Sequence, residues 1–259
     1  MKRFKDVVNE NRHFLMAYTT IGDPYSELNL EVANAMIKGG ADILELGIPS
    51  KDPKYDGPII RASYKRASKS GLDVRNALNL ARNIRGAAKI VLSYYDSINP
   101  LNLEEMAELS ADSGAEAVLI PDLLIDHTEK IDAYVKAVKL SGLEPVFFMP
   151  ATLPYRWIER IIELKPTMIY LGLMPATGIE LPLDPVSAIS RIKEQIGRIP
   201  LAVGFAIYEP DQVVAYLKAG ANGVVVGSAF AKIIETRKTE IHLMLDEIRE
   251  LAEGFKKNL

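Results

Sequence analysis

The stretch Asp42-Ile43-Leu44-Glu45-Leu46-Gly47-Ile48 is an apolar run interrupted by one acid, Glu45. Apolar residues on both faces are typical of a strand buried in a parallel sheet. Glu45 lies near the carboxyl end of this predicted strand, and a second acid, Asp56, follows on the loop behind it. Glu45 is therefore either a structural residue paired with a cation or a proton carrier in an apolar pocket. The spacing alone leaves both interpretations open.

Along the chain, eight strand-like segments alternate with helical stretches. Their starts lie 23 to 32 residues apart, except for one interval of 47 between the second and the third. This spacing predicts an α/β fold, a (β/α)8 TIM barrel formed by a single domain over residues 1–259. A doubly wound open sheet is the alternative that spacing does not exclude. The predicted strands are Phe14 to Thr20, Asp42 to Pro49, Lys89 to Asp96, Ala117 to Leu124, Pro145 to Ala151, Met168 to Leu173, Pro200 to Ile207 and Gly223 to Ser228.

A weak internal repeat supports this strand count. Gly40-Ala41-Asp42, Gly114-Ala115-Glu116 and Gly220-Ala221-Asn222 each stand directly before a predicted strand. Each glycine is expected to end the preceding helix with a positive φ, which other residues adopt at a cost.

The long interval after the second strand contains an extra helix. Pro58 is expected to begin a helix through Lys69, Gly71 to end it, and Asp73 to cap a second helix through about Asn83. The loop at 50–57 then lies at the carboxyl ends of the strands, where barrel active sites are built.

Composition excludes several classes of protein. The chain has 259 residues, 48% hydrophobic residues and a net charge of −3, so it offers no basic surface for nucleic acid. Its longest apolar runs, such as Gly223 to Ala231, fall short of the roughly 20 residues that span a bilayer. A cytoplasmic location is expected, since no leader is apparent and no cysteine is present. His13, His127 and His242 show no ligand spacing, so we expect surface positions for them and no metal site.

Several motifs resemble the tryptophan synthase α subunit family. Glu-Leu-Gly-Ile-Pro at 45–49, Asp-Pro at 52–53 and Asp-Gly-Pro at 56–58 match its second-strand motif at the same spacing. Further matches run along the chain at Thr20-Ile21-Gly22-Asp23-Pro24, Pro121-Asp122-Leu123, Ala176-Thr177-Gly178, Val203-Gly204-Phe205 and Val226-Gly227-Ser228-Ala229.

The resemblance implies a lyase that splits indole-3-glycerol phosphate into indole and glyceraldehyde 3-phosphate by a retro-aldol reaction without a cofactor. That reaction protonates ring carbon 3, removes a hydroxyl proton and develops positive charge at the ring nitrogen. Glu45 resembles the family's group for both protons, and Asp56 resembles the group that hydrogen-bonds the ring N–H. The apolar neighbours of Glu45 supply the desolvation that raises a carboxyl pKa.

Substrate-binding residues follow from the same resemblance. The phosphate is expected between strands seven and eight, at N–H groups near Gly178, Gly204, Ala206, Gly227 and Ser228. Ala206 departs from the family's Gly-Phe-Gly, and a positive φ there would strain an alanine by roughly 1–2 kcal/mol. Four residues are candidates for an apolar slot for indole, although any of them can equally be barrel core. They are Leu92, Phe148, Tyr170 and Phe205.

The resemblance also implies a mobile lid and a partner. Thr177 resembles the threonine that meets the catalytic aspartate when the strand-six loop closes. The partner would be a pyridoxal-phosphate-dependent β subunit in an αββα heterotetramer, docked over the barrel mouth at 49–54. Lys51, Lys54 and Tyr55 depart from the family's residues in this loop, as Ser50 does, and predict a partner specific to this chain.

Two other classes of barrel enzyme lack their required residues in this sequence. A histidine-pathway isomerase needs aspartates at the ends of strands one and five, where this chain has Tyr18-Thr19-Thr20 and Met149-Pro150-Ala151. A Schiff-base aldolase needs a lysine on a strand in a desolvated site, whereas Lys51 and Lys54 lie on a hydrophilic loop. A weakly active regulatory subunit that mainly activates a β subunit stays open.

Overall fold

The computed structural model describes residues 3–9, 13–173, 184–204, 207 and 209–259. Eight parallel strands form a closed barrel in chain order, with β8 paired to β1. This closure confirms the (β/α)8 barrel, because a doubly wound sheet would keep two open edges. The strands are β1 (Phe14–Thr20), β2 (Ile43–Gly47), β3 (Ala88–Leu92), β4 (Ala117–Leu119), β5 (Glu144–Pro150), β6 (Met168–Gly172), β7 (Leu201–Gly204) and β8 (Gly223–Val226).

Helices surround the barrel. They are α1 (Phe4–Asn9), α2 (Asn29–Lys38), α3 (Pro58–Ala67), α4 (Val74–Ala81), α5 (Tyr95–Ile98), α6 (Leu103–Asp112), α7 (Leu123–Asp126), α8 (Ile131–Leu140), α9 (Tyr155–Glu163), α10 (Pro185–Ile196), α11 (Asp211–Lys218), α12 (Ser228–Arg237) and α13 (Ile241–Lys257). Within the described ranges, no helix combines the length and apolar character needed to cross a bilayer.

The ends predicted for two strands were wrong. β3 stops at Leu92 rather than Asp96, and β4 stops at Leu119 rather than Leu124. In both places the apolar run continues into a short helix, α5 or α7, so hydrophobicity extends past the last sheet hydrogen bond. The prediction for the long interval after β2 is confirmed: Gly71 ends the first helical segment with φ +65, and the Asp73 carboxylate accepts the Asn76 N–H at 2.8 Å.

Side chains on alternate strand positions face two different cores. Leu15 and Ala17 pack outward against the helices, whereas Met16 and Tyr18 point into the barrel. The inner core continues into α1, whose Phe4, Val7 and Val8 are buried against it. Phe4 N donates to Glu116 Oε2, next to the first residue of β4, at 2.8 Å. Helix α1 therefore covers the amino-terminal end of the barrel, and the carboxyl ends of the strands form its mouth.

The three Gly-Ala repeats share one arrangement at the amino-terminal end. The glycines have φ values of +99, +79 and +109 at 40, 114 and 220, as predicted. A lysine side chain lies against each glycine: a Cβ added there would stand 2.7 to 3.1 Å from an atom of Lys256, Lys89 or Lys193. The first and third repeats also share a polar link. Asp42 accepts the backbone N–H of Leu15 on β1, and Asn222 accepts that of Leu201 on β7, each at 2.9 Å.

Candidate active site at the barrel mouth

Glu45 lies inside the barrel near the carboxyl end of β2, with 1% of its surface exposed. It faces the interior because it shares the inward positions of β2 with Ile43 and Gly47. Burial, followed by the charge of Asp56, raises the pKa of the Glu45 carboxyl to about 8. Among the described residues Glu45 has no salt-bridge partner, and its buried Oε1 accepts no hydrogen bond. The structural alternative, a glutamate neutralised by a cation, therefore finds no support in these ranges.

Asp56 lies on the loop between β2 and α3, and hydrogen bonds hold both its side chain and its backbone. Its Oδ2 accepts the Tyr94 hydroxyl at 2.8 Å, and its carbonyl accepts Arg61 Nε at 2.8 Å. Burial raises the pKa of the Asp56 carboxyl to about 6, although the hydrogen bond from Tyr94 and the charge of Arg61 both lower it. The two acids thus differ in kind: near neutral pH Glu45 holds its proton and Asp56 is mostly ionised.

Aromatic and apolar side chains line the barrel beneath these acids. Leu92, Phe148 and Tyr170 all belong to the inner core and lie near the carboxyl ends of β3, β5 and β6. Phe148 and Tyr170 meet edge to face with ring centres 5.3 Å apart. All three are at least 93% buried, so the structure places them where the sequence predicted without distinguishing a slot wall from barrel core.

Glycines on neighbouring strands make room for two tyrosines at this level. A Cβ on Gly204 would lie 2.5 Å from the Tyr170 hydroxyl, and a Cβ on Gly47 would lie 2.4 Å from the Tyr18 hydroxyl. Each tyrosine ring therefore extends over a strand end that carries no side chain. Gly204 thereby has a packing role beside the phosphate role predicted for it.

A chain of hydroxyl groups leads from the barrel interior to an ion pair. The Tyr18 and Thr20 hydroxyls are 2.9 Å apart, and Ser63 Oγ lies 2.7 Å from Thr20 Oγ1 and 2.6 Å from Asp23 Oδ2. Arg66 binds the buried Asp23 carboxylate through two nitrogens, at 2.7 and 2.8 Å. Because a carboxylate paired with an arginine only accepts hydrogen bonds, the hydroxyl groups of Tyr18, Thr20 and Ser63 are each expected to donate in the direction of Asp23.

The predicted phosphate residues are described only in part. Gly227 and Ser228 stand at the first turn of α12, directly after β8, so two of the expected N–H groups lie at the mouth. Four other predicted residues, Thr177, Gly178, Phe205 and Ala206, lie outside the described residues. The predictions about the lid and about strain at position 206 therefore stay predictions.

His127 does not fit the surface position expected for it, whereas His13 and His242 are exposed. The His127 ring stacks on Tyr95 at 4.3 Å, and its Nε2 lies 3.5 Å from the buried Asp122 carboxylate. The potential metal-ligating atoms of Asp122, Asp126 and His127 lie within 4.8 Å of one another, after the end of β4. Lys54 Nζ is 3.2 Å from Asp126 and already supplies positive charge there.

Two tyrosines of this site were missed from the sequence. Tyr94 was read as part of a strand, although a tyrosine two residues beyond the last sheet residue points over the mouth. Tyr18 was noted only for not being an aspartate. Its inward position two residues before the end of β1, paired in register with Glu45, was a usable signal.

Known proteins resemble this chain over nearly all its length. A family model described as "Tryptophan synthase alpha chain" matches residues 4–259. Proteins of that name from Solibacter usitatus and Methanosarcina mazei are 34% and 33% identical to it. These alignments cover 97% and 98% of this chain and 96% and 93% of the relatives.

Solved structures of tryptophan synthase α chains share the fold. The one from Legionella pneumophila has a TM-score of 0.87 at 24% identity and covers 100% of this chain and 97% of that chain. A mutant α subunit from the hyperthermophile Pyrococcus furiosus has a TM-score of 0.82 at 30% identity, covering 94% of this chain and 98% of that chain.

Proposed function

Because the chain belongs to the tryptophan synthase alpha chain family, we propose that it cleaves indole-3-glycerol phosphate to indole and glyceraldehyde 3-phosphate. The observation that carries this proposal is Glu45, a buried carboxyl with a raised pKa at the barrel mouth. A buried acid without a cation is costly to a fold, and such groups concentrate at sites where a proton is moved.

The two acids suit the two halves of a retro-aldol cleavage. Glu45, protonated near neutral pH, would donate its proton to carbon 3 of the indole ring. Ionised Asp56 would accept the ring N–H and stabilise the positive charge that develops on the nitrogen. The Glu45 carboxylate would then take the proton of the adjacent glycerol hydroxyl as the carbon–carbon bond breaks. Glu45 ends protonated, so the cycle needs no other proton carrier.

The rest of the mouth has matching roles in this proposal. Phe148 and Tyr170, already fixed against each other, offer an apolar wall to an indole ring. Leu92 and Phe205 are proposed beside them. The first turn of α12 at Gly227 and Ser228 suits a phosphate, because N–H groups and the positive helix end attract anions. Gly178, Gly204 and Ala206 complete the proposed phosphate site, and Thr177 the closing loop.

A partner and a location complete the proposal. A β subunit that binds pyridoxal phosphate would dock over the mouth in an αββα assembly and use the indole, while this chain itself would need no cofactor. Family membership supports such a partner in general. The cytoplasmic location and the organisation as one domain stay predictions.

Turnover by the isolated chain tests this proposal directly. Indole-glycerol phosphate is the substrate and indole formation the readout, with Glu45→Gln and Asp56→Asn as variants and Asp6→Asn at the opposite end of the barrel as the control. Each active-site variant should lose at least the roughly 10²-fold typical of acid-base catalysis, while substrate binding persists. Full activity in either variant would remove the mechanism, and a parent chain that only activates a β subunit would favour the regulatory alternative.

The pH dependence of kcat/KM gives a second test. The rate should rise with pH as Asp56 ionises near its pKa of about 6. It should fall again as Glu45 loses its proton near its pKa of about 8. In Glu45→Gln the alkaline limb should vanish from any residual activity. A parent rate that is flat from pH 5 to 9 would contradict both assignments.

A further inference from the structure

The loop that carries Asp56 is fastened to two neighbouring strand ends by side chains unlike the family's. Tyr55 donates its hydroxyl to Asp126 Oδ1 at 2.9 Å, and Lys54 Nζ lies 3.2 Å from Asp126 Oδ2. The same ammonium donates to Asp96 Oδ2 at 3.3 Å. Asp96 belongs to α5 after β3, and Asp126 ends α7 after β4. We name these four residues, Lys54, Tyr55, Asp96 and Asp126, the latch.

The backbone between the latch and Asp56 is fixed as well. Arg61 donates to the carbonyl oxygens of Lys54 and Asp56, each at 2.8 Å, and so bridges the turn that contains Tyr55. Tyr55 N donates to the Tyr94 hydroxyl at 3.1 Å, and that hydroxyl donates to Asp56 Oδ2. Tyr55 is thus the covalent neighbour of Asp56 and is also hydrogen-bonded to the Tyr94 hydroxyl, which orients the Asp56 carboxylate. A displacement of Tyr55 therefore affects Asp56 by both routes.

From this geometry we propose that Asp126 is a positioning residue, which holds Lys54 and Tyr55 and thereby sets the place of the Asp56 carboxylate over the barrel mouth. The inference rests on the proposed function, in which Asp56 meets the ring nitrogen. Asp126 itself makes no contact with the substrate in this account. It acts through two residues of the loop and through Tyr94.

Charge and exposure show why the latch serves position rather than stability. The side chains of Lys54 and Asp126 are each 32% exposed, and that of Asp96 is 67% exposed. Ion pairs so open to solvent contribute little to folding. Orientation is far more demanding, because an ångström of misplacement at a reacting group can cost about 10²-fold in rate. The latch should therefore be visible in kcat and almost invisible in thermal unfolding.

The chemistry of the contacts keeps the latch closed over the working range of pH. Burial and the hydrogen bond to Asp126 raise the pKa of Tyr55 to about 12, so its hydroxyl remains a donor. The hydrogen bond to Asp126 also raises the pKa of Lys54. Because both oxygens of Asp126 are engaged, one by each loop residue, asparagine can replace only part of its function.

A double-mutant cycle on the full chain tests the proposal. Asp126→Ala should lower kcat for indole formation roughly tenfold, with a smaller change in KM and no measurable shift in Tm. Asp126→Asn should lie between Ala and the parent, since its amide oxygen still accepts from Tyr55. The control Asp6→Ala breaks an exposed ion pair with Arg3 at the closed end and should leave kcat unchanged.

The decisive arm repeats Asp126→Ala in the Asp56→Asn background. If Asp126 works only through Asp56, its loss should there cost less than about twofold. An equal loss in both backgrounds, or no loss in the parent background, would overturn the proposal. If instead Asp56→Asn alone leaves the rate unchanged, the proposed function fails, and hydrogen exchange then decides whether Asp126 holds the loop.

Hydrogen exchange judges the latch without reference to activity. Peptides covering residues 50–57 should exchange at least several-fold faster in Asp126→Ala than in the parent, because the loop, no longer held through the Tyr55 and Lys54 side chains, opens more often and frees the Tyr55 N–H from the Tyr94 hydroxyl. They should be unchanged in Asp6→Ala. Equal protection of this loop in parent and Asp126→Ala would show that Asp126 does not hold it, whatever the kinetics.

Discussion

Asp42 and Glu45 are three residues apart on one segment, and the barrel treats them in opposite ways. Asp42, just before β2, accepts Leu15 N at 2.9 Å and Lys256 Nζ at 2.6 Å. Glu45, near the other end of the strand, is buried with a raised pKa and an Oε1 that no described group satisfies. The amino-terminal end uses its polar groups to join strands and helices. At the mouth, Glu45 is desolvated and its carboxyl keeps its proton near neutral pH. This burial costs stability and makes a proton available.

The largest effect that we expect from this difference between Asp42 and Glu45 is on the pH dependence of stability. Below pH 4.5 Glu45 is protonated in both the folded and the unfolded chain. Between pH 4.5 and about 8 Glu45 ionises readily only in the unfolded chain, so the free energy of unfolding falls as the pH rises through this range. The fall attributable to this group is at most about 5 kcal/mol. In Glu45→Gln it should disappear.

Denaturant unfolding at pH 5 and pH 9 measures this difference for the parent and for Glu45→Gln. The matched control is Asp42→Asn, which alters the well-bonded carboxylate at the other end of the strand and should not relieve the alkaline loss. If parent and Glu45→Gln lose the same free energy of unfolding between these two pH values, the burial of Glu45 does not cause the alkaline loss.

The next effect belongs to the amino-terminal end. Asn222→Ala leaves the N–H of the fully buried Leu201 without its acceptor and should cost about 1–3 kcal/mol of unfolding free energy. Asn222→Asp, which copies Asp42 of the first repeat, should retain most of the stability. Both variants should keep the parent kcat. A large loss of kcat at unchanged stability would contradict the division between the two ends.

The smallest expected effect is a shift in the pH dependence of activity caused by a change at the mouth. Tyr94→Phe removes the hydrogen bond that lowers the pKa of Asp56, so the acidic limb of kcat/KM should move upward by roughly one pH unit. Tyr134→Phe is a control, because that tyrosine donates to backbone carbonyls at 118 and 146 and lies outside the inner core. An acidic limb that stays in place in Tyr94→Phe would show that another group sets it.

Local pattern was enough to predict the barrel and the place of Glu45. Even strand spacing and glycines with positive φ are properties of short segments, and an acid near a strand end needs no distant partner to be recognised. The latch could not be predicted in this way. Asp126 lies 71 residues beyond Tyr55, and only the closed strand order brings α7 beside the loop.

The errors have a common physical origin. β3 and β4 were predicted too long because Tyr94, Tyr95 and Leu123 continue an apolar run after the sheet has ended. His127 was expected at the surface because one residue in sequence carries no sign of the buried Asp122 beside it. The loop substitutions at Lys54 and Tyr55 were interpreted as features of a partner surface. In the structure both side chains bind Asp126 of the same chain, so the prediction about partner specificity now rests mainly on the exposed Lys51.

Helix α1 has a consequence for traffic through the barrel. Phe4, Val7 and Val8 seal the amino-terminal end, and the apolar side chains above them fill the interior up to the level of Glu45. Among the described residues, this packing closes the barrel axis below Glu45, so a small product released beside Glu45 leaves by the mouth through which its precursor came. Whatever covers that mouth, whether a closing loop or a docked protein, therefore controls entry and exit together.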